Sequence, residues 1–157
     1  MDRPNFTDRD ADYMRIAIEE ARQAAEAGDV PVGAVLIENA TGAILAQGHN
    51  TREAGQTALG HAEINAIHDA CAALDSWRLT DCTLYVTLEP CPMCAGAILH
   101  ARIPRVVCGC SDPVAGAMGS VWAIHRHPVQ NQHTRVEIGC LEKECREILQ
   151  IFFRSKR

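Results

Sequence analysis

Residues 82–102 read CTLYVTLEPCPMCAGAILHAR: an apolar, strand-like run that halts at Glu89 and restarts as a helix at the cysteines. Pro92 marks the restart, because proline costs little in the first turn of a helix, where its N–H would lack a helical partner anyway. RVVCGC, residues 105–110, follows as a short buried strand. Two apolar strands joined through a helix make a crossover unit, which restricts the chain to an α/β sheet with helices packed on it.

The rest of the chain extends that unit. Met14, Ile18, Ala21 and Ala25 recur at near-helical spacing, which predicts an amphipathic helix over 8–27 stopped by Gly28. VPVGAVLIE and AILAQGHN, flanking the turn NATG, read as a hairpin of two strands over 30–38 and 43–50. Residues 51–60 read as a loop. HAEINAIHDACAAL, 61–74, reads as a helix with Ile64, Ile67, Cys71 and Leu74 on one face. A Gly- and Ala-rich loop over 111–120 leads to an irregular stretch with a helical turn, a strand over 133–140 and a closing helix over 141–156. The expected architecture is a single domain, 1–157, of three α/β/α layers. Its five-stranded mixed sheet is mostly parallel, with the hairpin at one edge. Function belongs at the carboxyl ends of the parallel strands, where helices begin.

A chain of 157 residues with 47% hydrophobic and 22% charged residues buries an ordinary core. No apolar run reaches the roughly 18 to 20 residues of a membrane helix, and the polar start MDRPNFTDRDADYMR lacks the apolar centre of a secretory signal. A cytoplasmic protein without a membrane partner is expected. In that reducing setting the eight cysteines are thiols or ligands rather than a disulfide framework. Net charge is −5, but unevenly spread: −4 over residues 1–30, −5 over 31–99 and +4 over 100–157. A basic final third, ending FFRSKR, is suited either to solvent or to a phosphate backbone.

Two helix starts carry the chemistry. Cys91 and Cys94, three apart, share one face of a helical turn, and a helix N-terminus favours their thiolates. His61 and Glu63 are two apart, so in mid-helix they would diverge; they converge only on a site beyond the helix end. One imidazole and two thiolates suit a single zinc per subunit and leave a fourth position open, which is the catalytic rather than the structural pattern. Glu63 then stands beside the open position as a proton carrier. A redox pair would account for the cysteines but not for His61 and Glu63. Of the remaining groups, Cys71, Cys82, Cys108, Cys110, Cys140 and Cys145 read as packing, and Arg102 and Arg105 as candidate contacts to a polynucleotide backbone.

His-x-Glu followed by Pro-Cys-x-x-Cys resembles the signature of zinc-dependent nucleobase deaminases. GDVPVGAVLI, GHN, HAE, LYVTLEPCPMCAGAILHARIPRVV and the late FFR resemble the bacterial tRNA-specific adenosine deaminases over essentially the whole chain. The resemblance implies a cytidine-deaminase-like fold and a homodimeric, zinc-dependent hydrolase acting on the anticodon stem-loop of tRNA. There adenosine at the wobble position becomes inosine through zinc-activated hydroxide. It assigns His61, Cys91 and Cys94 to the metal, Glu63 to proton transfer and Asn50 to the flipped base or its ribose, with Val30, Pro31 and Leu88 as pocket walls. The chain departs from the family pattern at Gly60, usually Ala or another apolar residue, at Val114, often near a lysine, and at Asn131 or His133, which stand for an Asn-His pair. The alternative is a zinc-dependent deaminase of a free base or nucleoside, of guanine or cytosine type, because the metal chemistry is common to both. A zinc-stabilised binding subunit ranks last, since it would lack Glu63.

Overall fold

The computed structural model describes residues 4–156; residues 1–3 and 157, the two ends of the expected domain, lie outside the described part. α1 (Asp8–Glu26) begins at a reciprocal cap. The Asp10 N–H donates to Thr7 Oγ1 at 3.1 Å and the Thr7 N–H donates to Asp10 Oδ2 at 3.0 Å, so two otherwise orphaned donors are satisfied. β1 (Gly33–Glu38) and β2 (Ile44–His49) form the hairpin. They are followed by a one-turn helix, α2 (Arg52–Gly55), inside the expected loop, and then α3 (Ala62–Leu74). β3 (Cys82–Leu88), α4 (Pro92–His100) and β4 (Arg105–Cys110) form the crossover unit. A 3-10 turn (Ile124–Arg126), β5 (Arg135–Ile138) and α5 (Glu142–Ser155) complete the chain.

The strands form one five-stranded sheet in the order β2-β1-β3-β4-β5. The hairpin lies at one edge, as expected, but the sheet is not mostly parallel: β1 pairs antiparallel with both β2 and β3, and the β3–β4 and β4–β5 pairs are parallel. The physical reason lies after the hairpin. α3 crosses from edge strand β2, past β1, and feeds β3 into the sheet against the direction of β1.

Alternation along the strands sorts two cores. Ala34, Leu36, Leu84, Val86, Val106 and Cys108 face α3 and α4, whereas Val35, Ile37, Tyr85 and Val107 face α1 and α5. With both faces covered, these strands read as continuous apolar runs. The helix faces differ in detail from the expected ones. On α1 the buried stripe is Met14, Ala17, Ile18, Ala21 and Ala24, with Ala25 only half-buried. On α3 the deepest stripe is Ala62, Ala66 and Ala70; Ile64, Ile67, Cys71 and Leu74 are all half-buried, and of these Ile67, Cys71 and Leu74 pack against the core. Backbone proximity explains the preference for alanine. A Cβ on Gly33 would lie 1.8 Å from the Ala17 carbonyl oxygen, and one on Gly48 would lie 2.8 Å from that of Ala62. Glycine on the strand and alanine on the helix let the layers approach closely.

All eight cysteines are free. Among the described residues, no helix is long and apolar enough to cross a membrane.

Candidate metal centre and nucleobase pocket

β3 and β4 run parallel, and at their carboxyl ends the Glu89 N–H donates to the Cys110 carbonyl at 2.9 Å. The chain then turns through Pro90 into α4. Cys91 is the residue that caps α4, with an extended backbone (φ −74°, ψ 174°), and Pro92 occupies the first turn. The Ala95 N–H closes the first helical hydrogen bond onto the Cys91 carbonyl at 2.8 Å. Cys94 thus returns to the side of Cys91 one turn on.

α3 begins in the same way. His61 caps it in an extended conformation (φ −94°, ψ 147°), and Glu63 lies within its first turn. The start is fixed by Asn50, which leaves β2 and accepts from the Ala62 N–H through Oδ1 at 2.9 Å. Both helices therefore point their N-terminal ends at one place, and the position of His61 outside the first turn lets it converge with Glu63.

The ligand atoms of His61, Cys91 and Cys94 all lie within 4.8 Å of one another. His61 Nδ1 is 3.6 Å from Cys91 Sγ and 3.4 Å from Cys94 Sγ. Cys94 is fully buried, whereas Cys91 and His61 are half-buried on the cavity side. The Cys91 thiol is pushed down to about 4, first by the hydrogen bond from Cys94; burial opposes this, and His61 adds to it. The Cys94 thiol is pushed up, first by its hydrogen bond to Cys91 and then by burial, so of the two sulfurs Cys94 is the one that keeps its proton. His61 is raised, chiefly by its hydrogen bond to Cys91. A divalent cation held there would take the place of that proton, and one imidazole with two sulfurs is a donor set that fits zinc.

Glu63 is 4% exposed, and burial pushes its carboxyl up to about 7. It faces a cavity of about 170 Å³ lined by Val30, Val32, Asn50, Arg52, His61, Leu88, Glu89, Cys91, Asp112 and Ala115. Expected residues Asn50, Val30 and Leu88 are thus at the pocket. Pro31 is not: it is buried and turned away, and Val32 stands in its place. The Val32 N–H donates to the Val30 carbonyl at 2.8 Å, so the chain makes a tight three-residue turn about Pro31, and Val30 and Val32 both reach the cavity wall. Asp112 and Ala115 come from the loop after β4, and Arg52 from α2, and no sequence periodicity announces them. Asp29, fully buried, receives the Glu53 N–H at 2.9 Å and the Ala54 N–H at 3.3 Å, tying down the turn that carries Arg52.

The pocket opens onto a groove of about 860 Å³ between the 110–114 loop and α5. It shares Val30, Leu88 and Asp112 with the cavity and adds Pro113, Val114, Leu149 and Phe153, with Arg146 and Arg154 beside them. Val114 is 82% exposed on this groove.

The other expected contacts fall elsewhere. Asn131 and His133 are exposed and do not line the cavity; His133 lies with Pro104, at the opposite end of β4. Gly60 does not line the cavity. A Cβ there would sit 2.8 Å from the Arg52 nitrogen, so glycine permits the 51–52 backbone to close over it. Arg105 is not a free cation. It pairs with Asp10 at 3.0 Å and Glu137 at 2.8 Å across β4, β5 and α1. Arg102 is folded back onto the Leu99 carbonyl at 2.9 Å.

Comparison with known proteins agrees with this geometry. Residues 7–110 match the family model described as the cytidine and deoxycytidylate deaminase zinc-binding region. The chain is 48% identical over 145 residues to a tRNA-specific adenosine deaminase of Bacillus subtilis (strain 168), covering 92% of this chain and 89% of that protein. It superposes with a TM-score of 0.84 on a solved structure from studies of A-to-I editing by tRNA:A34 deaminases, at 42% identity over 88% of this chain and 99% of the other. A guanine deaminase of Nitrosomonas europaea is similar at 26% identity, with a TM-score of 0.77 over 90% of this chain and 83% of the other.

Proposed function

The chain belongs to the zinc-binding cytidine and deoxycytidylate deaminase family, and from that premise we propose that it converts adenosine to inosine at the wobble position of tRNA anticodons. The observation that carries the substrate is the combination of a base-sized cavity at the metal centre with a much larger, mainly apolar groove that shares Val30, Leu88 and Asp112 with it. A free base needs only the first. A flipped nucleotide within a single-stranded loop also brings neighbouring bases, which stack on apolar walls while arginines meet the backbone.

In this reading His61, Cys91 and Cys94 hold one zinc per subunit. A zinc held by these residues would lower the pKa of a water at the open position towards about 7, which is the chemistry it would supply to the reaction. Glu63, buried at the cavity wall, takes the proton of the attacking water. It gives that proton to the ring nitrogen N1, then takes the remaining proton from the new C6 hydroxyl and passes it to the C6 amino group, so that the C6–N bond breaks, ammonia leaves and the C6 carbonyl forms. Its raised pKa places proton uptake and release near neutral pH. Asn50 spends its carbonyl oxygen on the start of α3 and has its NH₂ available to the base or ribose. Val30, Val32 and Leu88 flank the ring. The protein works as a homodimer in the cytoplasm and as a single deaminase domain.

The test is to incubate zinc-loaded protein with an anticodon stem-loop carrying adenosine at the wobble position, and in parallel with free adenosine, cytidine and guanine. Inosine in the stem-loop alone is the expected product by mass. Turnover of a free base or nucleoside alone overturns the substrate and keeps the metal chemistry. Glu63→Ala should retain zinc and lose about 10²–10⁴-fold in kcat; near-wild-type turnover removes the proton-carrying role.

A further inference from the structure

Glu89 stands between the last residue of β3 and the proline that precedes Cys91, and it is 2% exposed. A carboxylate buried this deeply demands hydrogen-bond donors. Its donors all come from one segment of chain. Oε1 receives the Asp112 N–H at 3.2 Å and the Ser120 hydroxyl. Oε2 receives the Met118 N–H at 3.1 Å and the Ser120 N–H at 3.0 Å. Among the described residues no arginine or lysine takes part.

The segment is built around that carboxylate. A Cβ on Gly116 would lie 2.5 Å from Glu89 Cδ and Oε2, so the backbone lies directly against it. The Ala117 N–H donates to the Pro90 carbonyl at 2.8 Å, and Asp112 Oδ1 receives the Val114 and Ala115 N–H groups at 2.9 and 3.1 Å. The same segment places Asp112 and Ala115 in the cavity wall and Pro113 and Val114 in the groove.

We propose that Glu89 is a positioning residue for substrate binding. It holds the 111–120 segment in its folded shape before substrate arrives, so that the Asp112–Ala115 wall need not be ordered at the moment of binding. Ordering a loop on binding lowers affinity without touching the chemical step. The role rests on the pocket being the nucleobase site described above.

Glu89→Gln tests this with almost no change of shape. An amide carries one acceptor oxygen, so whichever way it turns, its NH₂ confronts at least one backbone N–H that now lacks a partner. Gly116→Ala attacks the same contact from the loop side. In both variants KM for the stem-loop should rise about tenfold, the equilibrium equivalent of one charge-assisted hydrogen bond. kcat should stay within about twofold, and zinc content should be unchanged. Amide hydrogen exchange at Asp112, Met118 and Ser120 should quicken by about tenfold or more, while β4 keeps its protection. Wild-type KM in both variants, or a fall in kcat at unchanged KM, overturns the positioning role and leaves the site reading standing. Loss of zinc in both would assign Glu89 to the metal turn instead and would also overturn it. Failure of the wild-type enzyme to turn over the stem-loop would remove the site reading, and with it any role for Glu89 in binding that substrate.

Discussion

Asp10→Asn isolates the buried ion pair that ties α1 to the far side of the sheet. Arg105 grips the Asp10 carboxylate with two nitrogens, at 3.0 and 3.1 Å, while the Tyr85 hydroxyl donates at 2.7 Å and the Thr7 N–H at 3.0 Å. Burial alone would raise the Asp10 carboxyl, but the hydrogen bonds from Arg105, Thr7 and Tyr85 outweigh it and hold the group at about 2, against 3.8 when free. At about 1.36 kcal/mol for each tenfold change in proton affinity, this linkage is worth at most ~2.4 kcal/mol. The Arg105 side chain is 21% exposed, so solvent screening reduces the figure to about 2 kcal/mol or a little less. The sign follows from the direction of the shift. A carboxyl held low in the folded state contributes fully above about 3.8, and the contribution is lost as pH falls through about 2. Urea unfolding at pH 7 should therefore show a midpoint about 1 M lower for Asp10→Asn, and the gap between the two proteins should close between pH 4 and pH 2. Zinc release in acid is common to both proteins and cancels in the difference. The variant should also keep wild-type kcat and KM at 25 °C, because Asp10 meets Arg105 at the start of β4, whereas the pocket and groove lie beyond the other end of that strand, at Cys110 and Asp112. An unchanged midpoint at pH 7, or an equal loss at pH 7 and pH 2.5, would refute the electrostatic account. A raised KM with stability intact would restore Arg105 as a nucleic-acid contact.

Cys91→Ala should reduce zinc from one per subunit to below about a tenth, measured by elemental analysis after dialysis, since two remaining ligands hold the ion weakly; full occupancy would remove Cys91 from the ligand set. Gly33→Ala drives a methyl group to 1.8 Å from the Ala17 carbonyl oxygen, so α1 must lift off β1. The expected cost is about 3 kcal/mol, read as a fall in Tm of roughly 6–12 °C, and an unchanged Tm would show that the two layers are less tightly apposed.

The parts of the site legible in the sequence are those whose cause is local. Pro92 fixes where α4 starts, the three-residue spacing of Cys91 and Cys94 fixes their common side, and the two-residue spacing of His61 and Glu63 requires a site beyond a helix end. Each of these follows from backbone geometry within a few residues. The strands were legible for the same reason, whereas Val32 reaches the pocket through the turn about Pro31, which no strand alternation announces.

What escaped the sequence is carried by contacts between distant segments. Nothing near β3 states that β1 runs against it, because direction is settled by where α3 crosses. The three acidic residues Asp10, Asp29 and Glu89 look like ordinary surface charges in the sequence, yet each is buried and each organises a segment far along the chain. Asp10 meets Arg105 from 95 positions away, Asp29 meets the α2 turn from 24, and Glu89 meets Asp112 from 23. A buried carboxylate is costly unless its donors are in place, so these residues select the one chain path that supplies them. Asp29 and Glu89 do so at the two walls that flank the metal centre. The catalytic groups are therefore set by short-range helix geometry, and the pocket that chooses the substrate is set by long-range polar contacts. That division explains why the chemistry could be read before the walls that confine it.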